Sequence, residues 1–222
     1  MFFSILKESV FFFFALFTAI ISWRKANSFF KLLSLQLALF FIVYAGGYVI
    51  TFYQQARNLP QNNIWIYNLY FPIECALLAA AALQLLQSKM IRMITLICYF
   101  LFLTFYMIQI ARFGLNHFAN FAVAAYAFIL VGLYLAVLYH ILKTPGFTFR
   151  AFPQLWACLG IALYFGCIVP YFSVMNYLHA TNPKLNSTLF FIINNVLSHV
   201  RYFATAISMI LFYQQRTNVM LQ

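Results

Sequence analysis

The stretch IWIYNLYFPIECALLAAAALQLL, Ile64–Leu86, decides the class of this chain. It is long and apolar enough to cross a bilayer, which takes about 20 mostly apolar residues. Yet it carries Glu74 near its centre, and the whole chain holds only one other acid, Glu8. Near the C-terminus a comparable run, Thr188–Tyr213, carries one deep basic residue, Arg201. A lone carboxylate and a lone guanidinium in such surroundings require a reason. Either they pair and hold the fold together, or they mark a ligand or proton site. A charge at the centre of a membrane helix costs about 2.5–3.5 kcal/mol. Glu74 can escape by protonation, since desolvation disfavours its charge. Arg201 has no such escape and needs an acceptor.

Working outward, five further runs read the same way: Ile5–Trp23, Leu32–Tyr53, Ile91–Ile110, Phe121–Ile141 and Phe152–Met175. The chain of 222 residues is 66% hydrophobic and 7% charged, where a soluble domain carries about 25% charged residues. The sequence therefore predicts an all-α fold: one polytopic integral membrane bundle of seven transmembrane helices spanning residues 1–222. The net charge of +11 reflects missing acids, there being no Asp. Its Lys and Arg are scattered between apolar runs, which excludes a nucleic-acid surface, since that needs basic residues gathered on one face.

Basic residues set the orientation. One set of loops holds Arg24, Lys25, Lys31, Lys89, Arg92, Lys143, Arg150 and Arg216, and the other Lys7, Arg57, Arg112 and Lys184. The richer set is expected to be cytoplasmic, with the N-terminus outside and the C-terminus inside. The first run lacks a basic start and a small-residue cleavage site, and Arg24–Lys25 follows it, so it is read as a retained anchor. The expected location is a bacterial inner membrane.

A shift of 120 residues lays the first three spans (5–86) onto the last three (121–213), joined by a helix over 91–110. Leu35 then meets Leu155, Tyr44 meets Tyr164, Gly46 meets Gly166, Val49 meets Val169 and Phe52 meets Phe172. Leu69 meets Leu189, Phe71 meets Phe191 and Ile73 meets Ile193, and Glu74 falls on Asn194. This 3+1+3 outline resembles the SWEET-type sugar transporters. That family places an Asn on its third and seventh spans at the solute site, which implies such a role for Asn194, with Glu74 standing in the other position. The family's prolines in the first and fifth spans are absent here. The segment WIYNLYFPIE (Trp65–Glu74) is also similar to membrane proteins of Bacteroidota that carry no assigned activity.

On the seventh span, Asn194, Ser198, Arg201, Thr205 and Ser208 recur at three- and four-residue steps, with Asn195, His199 and Tyr202 beside them. Such a stripe lines one helical face and in lipid must point into the bundle. The third span offers Tyr67, Tyr70 and Glu74 at the same spacing. The candidate ligand-binding residues are therefore Glu74, Asn194, Asn195, Ser198, Arg201, Tyr67 and Tyr70. Pro72 and Pro170 break the outer halves of their spans, and such breaks either line a cavity or are filled by neighbours. Gly46–Gly47 and Ala162-x-x-x-Gly166 are small-residue patches that allow close helix approach.

No metal or haem site is indicated, because no paired histidines share a helix face. Cys75, Cys98, Cys158 and Cys167 all lie within spans, without C-x-x-C spacing, and read as buried thiols. Asn186-Ser187-Thr188 forms a glycosylation sequon in an expected outer loop. The functional expectation is a small polar solute bound within the bundle, moved as by a facilitative transporter. A sensor acting through a membrane signalling partner, an intramembrane enzyme using Glu74, and a homo-oligomer remain open alternatives. The partner that composition implies directly is the lipid bilayer, and no cofactor is implied.

Overall fold

The computed structural model describes residues 2–60, 62–86, 88–145, 148–149 and 152–220, and of 2–9 and 218–220 the backbone alone. Lys7, Glu8 and Arg150, used in the charge reading, lie outside the described side chains. Every regular element among the described residues is a helix: α1 (Phe2–Ser22), α2 (Ser28–Ala56), α3 (Ile64–Leu85), α4 (Lys89–Phe113), α5 (Asn120–Leu142) and α6 (Gln154–Thr181). They are followed by α7 (Pro183–Phe191), a π-helical turn (Ile192–Leu197) and α8 (Ser198–Met220), which run on as one element.

Local chemistry sets several boundaries. Asn27, Ser88 and Asn182 each turn a side-chain oxygen onto a backbone N–H of the first turn, of Phe30, Ile91 and Leu185 respectively. This satisfies one of the donors a helix start leaves free. Pro183 takes the first position of α7, where its missing N–H costs nothing. Gly114 ends α4 at φ 79, a conformation that a side chain would oppose.

Six of the helices close into a ring. α1 packs on α2, α2 on α3, α3 on α5, α5 on α6, α6 on α8, and α8 back on α1. α4 lies outside the ring against α3 and α5, and α7 continues along α6. In this order α3 and α8 stand opposite one another, as do α2 and α6, and α1 and α5. The outward faces are apolar: Ile20, Phe52 and Phe128 are 68, 73 and 70% exposed. In water that surface would be an aggregation patch; in lipid it is the expected solvent-facing side. Six helices among the described residues are long and apolar enough to cross a membrane, and the described side chains of α1 add a shorter apolar stretch, Val10–Ser22.

The sixth and seventh runs differ from expectation. The loop expected between Met175 and Thr188 is helical except at Asn182, since α6 runs on to Thr181 and α7 begins at Pro183. The sequon at Asn186 therefore lies in a helix, where its side chain accepts the Tyr171 hydroxyl at 3.1 Å. The tight turn needs only the Asn182 cap and Pro183. The cysteines also divide: Cys75 and Cys158 are buried, whereas Cys98 and Cys167 are half-buried, all with free thiols.

Pro72 breaks α3, and the break is filled. A proline frees the carbonyl four residues earlier, here that of Asn68, and the Tyr106 hydroxyl of α4 donates to it at 2.5 Å. The fully buried Asn68 side chain donates to the carbonyls of Leu115 and His117 at 2.7 Å each. It also accepts the Ala119 N–H at 3.3 Å. One amide thus pins the α4–α5 loop onto α3.

The close approach of α6 and α8 centres on Gly160, not on the expected Gly166. A Cβ at Gly160 would lie 2.7 Å from the Ala204 Cβ and 3.2 Å from the Arg201 Cα, while at Gly166 it would meet nothing within 4 Å. Gly160→Ala should cost about 1–3 kcal/mol through overpacking, and Gly166→Ala should be neutral or gain up to about 1 kcal/mol of helix propensity. Thermal unfolding of the two variants in detergent checks this opposite pair of signs.

Candidate functional site

The site is built where the ring's opposite helices meet. Glu74 sits on α3, one helical turn beyond Tyr70, and turns inward because its outer neighbours Leu69 and Ile73 face lipid. Arg201 sits on α8 directly against Gly160, whose missing side chain lets the two backbones close. The Arg201 Nη2 donates to the Glu74 Oε1 at 3.0 Å, and both side chains are nearly inaccessible.

Each charge has further support. The Gln36 Nε2 of α2 donates to the same Oε1 at 3.0 Å and also to the Tyr70 hydroxyl at 2.7 Å. The Tyr126 hydroxyl of α5 donates to Oε2 at 3.3 Å. Glu74 therefore takes hydrogen bonds from three helices. The guanidinium of Arg201 lies 5.0 Å from the ring centres of Tyr164 and Phe165 and 5.7 Å from that of Tyr202. Such cation–π contacts reach about 2 kcal/mol when desolvated. The pair, its amide and hydroxyl donors and its aromatic faces remove most of the cost that two bare charges would carry here.

All seven side chains expected at a ligand site line one cavity of about 390 Å3 inside the ring: Tyr67, Tyr70, Glu74, Asn194, Asn195, Ser198 and Arg201. The cavity runs from the ion pair towards the end of the bundle where Asn63 and Phe118 stand. Its remaining wall is mostly aromatic, with Phe12, Phe40, Tyr44, Tyr126, Tyr164 and Tyr202 among its members. All six ring helices thus contribute to it.

The π-helical turn explains how neighbouring residues share this wall. Its wider winding, seen in the Ser198 N–H bond to the Ile193 carbonyl, brings both Asn194 and Asn195 to the lumen. Such insertions are frequent at functional sites. Asn194 donates back to the Phe190 carbonyl at 3.1 Å, and Ser198 to the Asn194 carbonyl. His199 lies off the cavity wall, its ring nitrogen on the Asn195 carbonyl and its ring edge-on to Phe11. Further along the stripe, the buried Thr205 and Ser208 serve packing: their hydroxyls bond the carbonyls of Arg201 and Pro153.

Sequence reasoning missed Gln36, Tyr126 and Tyr164. Gln36 had a signal, since it is an isolated amide inside an apolar run. Tyr164 had its match to Tyr44 at the 120-residue offset, and Tyr126 had none, because the 15 tyrosines are spread over the chain without period.

No family model matches this chain, and neither a curated protein nor a solved structure is significantly similar to it.

The donors to Glu74 can be removed one at a time. Hydrogen bonds between membrane helices are worth about 0.6 kcal/mol on average and at most about 1.7. Gln36→Leu, which strips both Glu74 and Tyr70 of a partner, should lose about 1–2 kcal/mol. Tyr126→Phe, which removes the longer bond, should lose less. Unfolding of the purified variants in detergent measures both, and the order of the two losses is the expected result.

Proposed function

We propose that this chain binds a small solute in the cavity above the Glu74–Arg201 pair and moves it across a membrane by facilitated passage. The observation that carries this reading is the cavity itself, which leads from a neutralised pair in mid-bundle to one end of the ring. Its volume lies within the range of about 300–1,000 Å3 usual for small-molecule sites. A bundle whose only task was to hold its helices together would fill that space with side chains.

Charge supports an orientation. The end away from the cavity mouth carries Arg24, Lys25, Lys31, Lys89, Arg92, Lys143 and Arg216, and the mouth end carries Arg57, Arg112 and Lys184. The richer end faces the cytoplasm under the positive-inside rule. The N-terminus and the cavity mouth then lie outside, in a bacterial inner membrane or its equivalent.

Two features support movement of the solute rather than simple retention. The α7–α8 element changes winding at the cavity wall, and a π-helical insertion gives a helix a place to rearrange. The ring order is also unchanged when α1, α2 and α3 are exchanged for α5, α6 and α8. At the 120-residue offset Tyr44 and Tyr164, Tyr48 and Ile168, Tyr70 and Phe190, and Glu74 and Asn194 all lie on the cavity wall. Two similar halves around one site suit alternating access. A proton-transfer role for Glu74 is less well supported, since both of its oxygens are engaged.

Water access tests the reading. In a background lacking the four native cysteines, Asn194→Cys should react with a membrane-impermeant thiosulfonate added at the outer face. Ala127→Cys, in the dry core, should stay unlabelled. Solute uptake into proteoliposomes should be lost in Asn194→Trp. An unreactive Asn194→Cys would sink the proposal.

A further inference from the structure

The Glu74–Arg201 site is asymmetric in what it leaves for a ligand. Glu74 is occupied on both oxygens by Gln36, Arg201 and Tyr126. A carboxylate has about four acceptor positions, so little remains to receive a cation or a donor. Arg201 is different. Its fork carries five N–H donors, of which Nη2 serves Glu74 and one more faces the Tyr164 hydroxyl, and the residue lies on the cavity wall. The group with capacity to spare is the cation.

The surroundings point the same way. Among the described side chains Glu74 is the only carboxylate, and Arg57, Arg112 and Lys184 are exposed cations at the mouth end. An excess of positive charge at the mouth concentrates anionic ligands. The walls above the pair are mostly aromatic side chains, several of them tyrosines, and Asn195 stands beside them. Such walls suit a flat or ring-shaped apolar body. An aromatic cage alone would also suit an organic cation, but that cation would meet Arg201 in the same cavity and find Glu74 already taken.

We propose that the cavity takes a small organic monoanion, a carboxylate on an aromatic or similar ring-shaped body, with its carboxylate on Arg201. This rests on the solute-binding reading above and names the solute's class. The ligand competes with Glu74 for the guanidinium, so Glu74 sets how tightly it is held. While the ligand is bound, Gln36 and Tyr126 keep Glu74 hydrogen-bonded.

The test uses a series that shares one phenylpropyl skeleton, 3-phenylpropionate, 3-phenylpropylamine and 3-phenylpropanol, added to the full chain in neutral detergent, with the thermal midpoint as readout. The acid should raise the midpoint of the wild type, and the amine and alcohol should not. Glu74→Gln, which removes the competing anion, should bind the acid about tenfold or more tighter, a step of about 1.4 kcal/mol, and regain stability in its presence. Asn194→Trp, which fills the lumen without touching the pair, should abolish the response. A response to the amine or alcohol in place of the acid overturns the anion assignment and leaves the solute-binding reading standing. Silence to all three, in wild type and Glu74→Gln alike, also overturns it; the labelling of Asn194→Cys then decides separately whether the cavity is open to solutes at all. An acid response that survives in Asn194→Trp places the ligand outside the cavity and overturns the proposal.

Discussion

The constraint on which the structure depends is that Arg201 keeps its charge while almost wholly enclosed by protein. It lies 4% exposed on α8, in the middle of an apolar ring. Removing one partner of a buried ion pair costs about 3–5 kcal/mol, because the other charge is left behind. The helix opposite supplies Glu74, and the 3.0 Å contact between them crosses the ring. α2 and α5 then add Gln36 and Tyr126 to the carboxylate, and α6 adds the faces of Tyr164 and Phe165 to the guanidinium. Four neighbours of the pair therefore come from three further helices. In lipid, where apolar burial gives little drive for helices to associate, a polar hub of this kind fixes which helices meet and at what depth.

The same hub forms the floor of the cavity. Stability and the proposed solute binding are therefore not separable by position: Glu74 and Arg201 serve the fold through each other and face the lumen together. Gly160 shows how far upstream the arrangement reaches. It does nothing chemical, but a methyl group there would push against Ala204 and the backbone of Arg201. Asn68 plays the matching part on α3, holding the α4–α5 loop at the mouth end while Tyr106 closes the gap left by Pro72.

Much of this was legible in the residues. Apolar runs of membrane-crossing length marked the first five helices to within four residues, because the bilayer leaves a backbone little choice but to satisfy itself internally. The isolation of Glu74 and Arg201 in their apolar runs singled out the hub. What stayed hidden depended on tertiary geometry. The helical path through His179 and Lys184 was masked by polar residues that usually signal a loop, whereas the Asn182 cap turns the chain in one residue. The π-helical turn has no sequence period of its own. Tyr126 and Tyr164 are ordinary membrane-helix tyrosines until the ring closes and aims them at the pair.

The most direct test of the account is a double-mutant cycle on the pair, read as unfolding free energy in detergent. Glu74→Gln and Arg201→Leu alone should each be strongly destabilising. The double variant should recover part of the loss, with a coupling on the order of 1–3 kcal/mol, because no buried charge is then left unmatched. Additive losses, or a Glu74→Gln variant as stable as the wild type, would contradict the claim that this contact organises the bundle.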